Sequence, residues 1–147
     1  MFLMPDQFPQ KTIKIVKATR SDVSHLAILN KRLIEDEGHP NPMDIDQLFE
    51  RMLGWLQNEY TAYLAMLDEK IAAYCLYRDD GDHYYLRQFY VDRGYRRQGI
   101  GTQLLDWMYR NVWTEKKVRL EVLAHNQSAI AFYEHYGFKV GCLSMEK

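Results

Sequence analysis

The first clear pattern along the chain is KTIKIVKA, where Ile13, Ile15 and Ala18 stand against lysines, the alternation of a half-buried strand. Thr19-Arg20-Ser21-Asp22 then offers N-cap side chains, and Val23, Leu26, Leu29 and Leu33 recur at helical spacing. That spacing predicts a helix to about Glu37, stopped at Gly38 with Pro40 and Pro42 beyond it. A second helix is predicted from Met43 to about Gln57, with Ile45, Leu48, Met52, Leu53 and Leu56 on one side. TAYLAMLD and KIAAYCLY read as strands joined at Asp68-Glu69-Lys70, and Asp79-Asp80-Gly81-Asp82 turns the chain into a third strand, HYYLRQFYV. A helix to about Trp113 follows, striped by Ile100, Leu104, Leu105, Met108 and Val112. VRLEVLA is a strand, Asn126 caps a short helix through Tyr136, and Gly137 ends it. FKVGCLSMEK closes the chain as one strand, or as two short ones hinged at Gly141. Residues 1–11, with Pro5 and Pro9, form a loose lead-in. The order joins an antiparallel meander to one β-α-β crossover, which gives an α/β (α+β) class with a mixed sheet.

Composition narrows the function without naming it. At 147 residues, 47% hydrophobic and 27% charged, the chain reads as one folded domain spanning residues 1–147. A net charge of −1 argues against a nucleic-acid binder, and no apolar run approaches membrane-spanning length. MFLMPDQFPQ lacks the form of a signal peptide, and Cys75 and Cys142 make neither a CxxC pair nor a metal-spaced cluster. The expectation is a cytoplasmic protein with two reduced thiols and no metal.

The candidate chemistry starts at VDRGYRRQGIGTQLL, residues 91–105, where glycines and arginines precede a helix. Helix N-termini present unpaired N–H groups and partial positive charge, which suit phosphates. A P-loop needs Gly-Lys-Ser/Thr at its end, but Ile100 and Gly101 stand where Lys and Ser/Thr belong. The dinucleotide fingerprint fails too, because its third glycine falls on Leu104. The pattern that remains is Arg/Gln-x-x-Gly-x-Gly/Ala, filled by Arg96, Arg97, Gln98, Gly99, Ile100 and Gly101. Downstream, NQSAIAFYEHYGF carries Asn126, Ala129, Phe132, Tyr133, Gly137 and Phe138 in the pattern Asn-x-x-Ala-x-x-Phe/Leu-Tyr-x-x-x-Gly-Phe.

With these two segments in this order, the chain resembles the GNAT superfamily of N-acetyltransferases. The resemblance implies a mostly antiparallel twisted sheet of six to seven strands, splayed between the fourth and fifth, with about four helices around it. It implies acetyl-coenzyme A as co-substrate, its pyrophosphate on the turn from Arg96 to Thr102 and its pantetheine arm against Phe89, Tyr90 and Val91. It places Asn126, Phe132 and Tyr133 beside the cofactor, gives the Val91 amide the thioester carbonyl, and makes Tyr133 the general acid. A phenol suits that role, since it can donate to a departing thiolate.

The base is less defined. Arg87 and Gln88 occupy the fourth-strand positions where relatives often carry a carboxylate. Glu121 is the candidate for the role, with His83, Glu35 and Asp36 as alternatives. The acidic loop IEDEGHPNPMD places Glu35, Asp36, Glu37 and His39 where a cationic amine would approach. The expected partner is a small-molecule amine, and the short C-terminus motivates an expectation of a homodimer. The alternatives are a protein (Lys or N-terminal) acetyltransferase and a non-catalytic coenzyme A-binding or regulatory domain.

Overall fold

The structure, a computed structural model, describes residues 12–147; the expected lead-in at 1–11 lies outside them. Strand β1 (Lys14–Lys17) leads through a single 3-10 turn into α1 (Val23–Glu37), which is followed by α2 (Ile45–Gln57). Strands β2 (Tyr60–Leu67), β3 (Lys70–Asp79) and β4 (Tyr84–Val91) form the meander. Then come α3 (Ile100–Asn111), β5 (Val118–Leu120) and α4 (Gln127–Tyr136). The sheet runs β1-β2-β3-β4-β5, antiparallel throughout except for the parallel β4–β5 pair.

Local chemistry explains the boundaries. Gly38 ends α1 at φ +64°, with its N–H on the Glu35 and Ile34 carbonyls. Asp44 and Gln47 form a reciprocal capping box at the start of α2. Asp68 and Glu69 both take positive φ, so the β2–β3 turn is a tight two-residue hairpin. One apolar layer packs β2, Tyr74, Leu76 and Tyr90 against α1 and Met52 of α2. The other packs Ala73, Cys75 and Leu86 against Ile100, Leu104, Leu105 and Met108 of α3. Cys75 is buried and Cys142 exposed, both free, and burial pushes the Cys75 thiol up to about 12.

Two features of the sheet create the site. The β3–β4 register steps from Leu76↔Gln88 to Tyr77↔Leu86, so Arg87 is an extra residue that bends β4. The β4–β5 ladder ends at Leu86↔Leu120, while β4 continues to Val91 and the chain after Leu120 runs unpaired. The expected splay is therefore present.

Among the described residues the strand count is lower than expected, five, because FKVGCLSMEK forms no strand. The Phe138 N–H closes α4 on the Tyr133 carbonyl at 2.9 Å, and the residues after it pair with no strand of the sheet among the described residues. Val140, Leu143 and Met145 are left exposed. That tail and the outer edge of β5 are the surface to which the homodimer expectation refers.

Candidate active site

The splay opens a cleft of about 520 Å³ between β4 and residues 120–122, bounded by the end of α1, the start of α3 and one side of α4. Along its β4 wall the side chains alternate: Phe89 and Val91 lie on the α3 side, Tyr90 on the α1 side. The Asp92 N–H donates to the Ala72 carbonyl at 2.8 Å. By the alternation of an antiparallel pair, the Phe89 and Val91 peptide groups then face away from β3 and into the gap, whereas those of Tyr90 face β3. The Val91 carbonyl already accepts from Arg96 Nε at 3.0 Å, which leaves the Val91 N–H as the free donor at that peptide.

At one end the cleft meets the N-terminus of α3. Gly99 is its N-cap at φ +75°, no side chain caps the helix, and the first intrahelical bond runs from the Gln103 N–H to the Gly99 carbonyl. The amides of Ile100, Gly101 and Thr102 precede that bond and point outward. Arg97, also in the left-handed region at φ +62°, shapes the turn and lines the cleft, as does Thr102. A Cβ at Gly101 would stand 3.3 Å from Phe89 Cζ, 3.3 Å from Val91 Cγ2 and 3.4 Å from Phe132 Cζ, so Gly101 lets α3 sit down on the cleft floor. Uncapped amides, two left-handed turn residues and an unmatched arginine fit a diphosphate.

Arg96 lines the cleft and is also tied into the turn. Its Nη2 meets Asp36 Oδ2 at 2.5 Å, and Arg93 Nη2 meets Asp36 Oδ1 at 2.7 Å and Glu35 at 3.3 Å. Tyr90 Oη donates to Asp36 at 3.1 Å. Burial opposes ionisation of Asp36, but the bonds from Arg93, Arg96 and Tyr90 outweigh it and hold its carboxyl below the usual range. Gln98 faces away from the cleft and donates to the Gly94 carbonyl at 3.3 Å. Both Gln98 and Arg96 thus shape the turn.

On the α4 and α1 sides of the cleft stand Tyr133 and Glu37. Asn126 caps α4, its Oδ1 accepting from the Ala129 N–H at 3.3 Å, and Gly137 ends the helix at φ +125°. Between them Phe132 stacks on Phe89, and Tyr133 meets Phe89, Phe132 and Phe138 edge-on. The Tyr133 hydroxyl has no hydrogen-bond partner among the described residues. Burial, and then the Glu37 charge, push its pKa well above the ordinary 10.

Glu37 lies half-buried in the last turn of α1, where the helix dipole disfavours acids. Arg93 and Arg96 relieve Glu35 and Asp36, but Glu37 has no ion pair among the described residues. Burial raises its pKa, Asp36 adds to the rise, and His39 and His125 oppose it. His125 Nε2 also contacts the Glu37 carbonyl at 3.0 Å, linking the end of α1 to the loop before α4.

Glu121 lines the opposite wall, exposed, and accepts from Tyr85 Oη at 3.0 Å. Glu35, His39 and His83 do not line the cleft, and His83 instead contacts Asp80 and Asp82. Along the sequence Glu37 is only one of three consecutive acids, Glu35-Asp36-Glu37; what sets it apart is its lack of an ion pair among the described residues, which long-range pairing decides. Among the described residues no group of three His, Cys, Asp or Glu stands close enough to hold a metal, and no helix is long and apolar enough to cross a membrane.

The sequence model of the acetyltransferase (GNAT) family matches residues 26–138, and the chain belongs to that family. No curated protein matches it. Among solved structures, a possible acetyltransferase from Clostridium difficile 630 shares 23% identity at TM-score 0.78, over 92% of this chain and 95% of that one. A predicted acetyltransferase with acetyl-CoA from Clostridium acetobutylicum shares 21% identity at TM-score 0.72, over 92% and 96%. An aminoglycoside acetyltransferase from an uncultured soil metagenomic sample, in complex with sisomicin, shares 18% at TM-score 0.68, over 92% and 93%. At these identities the likeness is one of fold.

Proposed function

We propose that this chain transfers an acetyl group from acetyl-coenzyme A directly to a primary amine of a small molecule. The observation that carries the reading is the open gap beside β4, with the Val91 N–H facing it, the bare α3 N-terminus at one end and Tyr133 and Glu37 lining its α4 and α1 sides. Acetyl-coenzyme A supplies an activated acyl group. The α3 amides and Arg97 bind its diphosphate, while Arg96 and Gln98 hold the turn in shape. The Val91 N–H donates to the carbonyl oxygen. Tyr133 Oη holds a proton at the departing sulfur, and the Glu37 carboxylate takes the proton of the amine. Glu37 suits that task better than Glu121 because burial has raised its pKa, and no partner among the described residues occupies it. The sisomicin complex of a protein with this fold supports a small-molecule acceptor over a peptide.

Thiol release from acetyl-coenzyme A over a panel of small primary amines tests the reading. Turnover of at least one is the expected result. Cofactor binding with no release for any amine would favour a regulatory domain.

The pH profile tests Glu37. It must be ionised to accept a proton, and its pKa lies above the ordinary glutamate value of 4.5. When kcat/KM is expressed per neutral amine, it should therefore fall with unit slope as pH drops through that raised pKa. Glu37→Gln should lower the plateau by about 10²-fold and abolish that limb. A profile of unchanged shape in the variant would remove Glu37 from the chemistry. The same shift acts on stability with the opposite tendency: a raised carboxyl pKa stabilises the fold below the unfolded pKa, and that contribution is lost as pH rises through the folded one.

A further inference from the structure

Resting on the reading above, we propose that the acceptor carries a carboxylate on the same molecule as its amine, and that Arg51 and Arg87 recognise it. Four arginines are held by acids, and of the arginines only Arg87, Arg96 and Arg97 line the cleft among the described residues. Arg32 pairs with Asp92, Arg78 with Asp80, Arg93 with Asp36 and Glu35, and Arg96 with Asp36. Arg51, Arg87 and Arg97 have no ion pair among the described residues. Arg97 stands at the diphosphate end. Arg87 stands at the other end, four residues before Val91 on β4, or about 13 Å along an extended strand.

Arg87 lines the cleft because it is the bulge residue of β4. Its guanidinium lies 4.7 Å from the Trp55 ring centroid and 5.9 Å from that of Tyr60, and it donates to Tyr60 Oη at 3.3 Å. Arg51 lies 4.4 Å from the same Trp55 ring and donates to Asn30 Oδ1 at 3.1 Å. Asn30 is 0% exposed, and its Nδ2 has no partner; neither has the buried Arg51 Nε.

Two cations thus share one indole, beside two buried donors without acceptors. Burial, and then the charge of Arg87, lower the hold of Arg51 on its proton. Stacking on Trp55 favours each cation singly, but it does not relieve their mutual repulsion or provide an acceptor. A carboxylate does both, because it accepts several hydrogen bonds and carries the opposite charge. It also balances the site: Glu37 faces the amine, and the arginines face the acid of one zwitterionic molecule.

The test uses the full chain and matched acceptors: the unbranched ω-amino acids from glycine to 6-aminohexanoate, each beside its own carboxamide. For at least one length the carboxylate should exceed its carboxamide in kcat/KM by about tenfold or more. In Arg51→Gln and Arg87→Gln that ratio should collapse toward one, with Arg87→Lys retaining part of it. Equal rates for carboxylate and carboxamide at every length, or a ratio unchanged in both variants, would overturn the proposal.

If no amine is acetylated, the transferase reading fails by itself, and calorimetry on the acetyl-coenzyme A-loaded protein decides the anion site. Carboxylates that bind the wild type and not the variants support it, and their failure to bind the wild type rejects it. Thermal melts establish that the variants are folded before either comparison is made.

Discussion

Replacing Tyr133 by Phe is expected to lower kcat by about 10²-fold or more while leaving acetyl-coenzyme A affinity and the melting temperature essentially unchanged. The ring does the packing: Tyr133 lies 6.2 Å from Phe89, 5.5 Å from Phe132 and 5.6 Å from Phe138, all contacts that Phe retains. The hydroxyl has no protein partner among the described residues, so its removal leaves no buried group unsatisfied. What is lost is one donor in the cleft. Burial and the Glu37 charge keep that phenol protonated well past neutrality, whereas a thiol ordinarily titrates near about 8.5. Complete proton transfer to the sulfur is therefore uphill, and the proposed contribution of Tyr133 is a hydrogen bond that strengthens as charge builds on the leaving atom. Steady-state kinetics paired with calorimetry separates the two effects. A variant with wild-type kcat would take Tyr133 out of the chemistry.

What could be read along the chain was whatever each residue settles with its near neighbours. Asn126 caps three residues ahead, Gly137 supplies the positive φ that ends α4, and Phe138 folds back on Tyr133, so the downstream motif was legible letter by letter. Gly99 and Gly101 were legible as an open turn, but not the reason for Gly101. Its role is contact with Phe89, Val91 and Phe132, which arrive from β4 and α4. The tie from Arg96 to Asp36 was not legible, because it spans 60 residues of sequence. HYYLRQFYV is a strand-forming run broken only by the polar pair Arg87-Gln88, and that pair shows itself as a bulge only in the register against β3. FKVGCLSMEK has an apolar pattern suited to a strand, yet it pairs with none, because pairing needs a partner edge that the local pattern does not specify. Partners far apart in sequence, or the path of the chain in space, decided these last points.

Gly101→Val is expected to weaken acetyl-coenzyme A binding by about a hundredfold or more, or about 2.8 kcal/mol at roughly 1.4 kcal/mol per tenfold. Helix propensity does not cause this, because valine is slightly better than glycine inside a helix. The cause is space. A Cβ alone would stand 3.3 Å from both Phe89 and Val91, and two further methyl groups must displace those side chains or lift α3 off the floor. Overpacking of this kind costs roughly 1–3 kcal/mol of stability, which the fold should survive. Binding suffers more, because the shift moves the Val91 peptide and the α3 amides relative to each other, and one ligand must reach both. Gly101→Ala is the graded control, with a gain of about 1 kcal/mol in propensity set against the same 3.3 Å contacts. For wild type, acetyl-coenzyme A at about 100 times its Kd should add about 2.7 kcal/mol of stability; the valine variant should melt cooperatively and gain almost none. If the valine variant gained as much as wild type, the diphosphate would sit away from the start of α3.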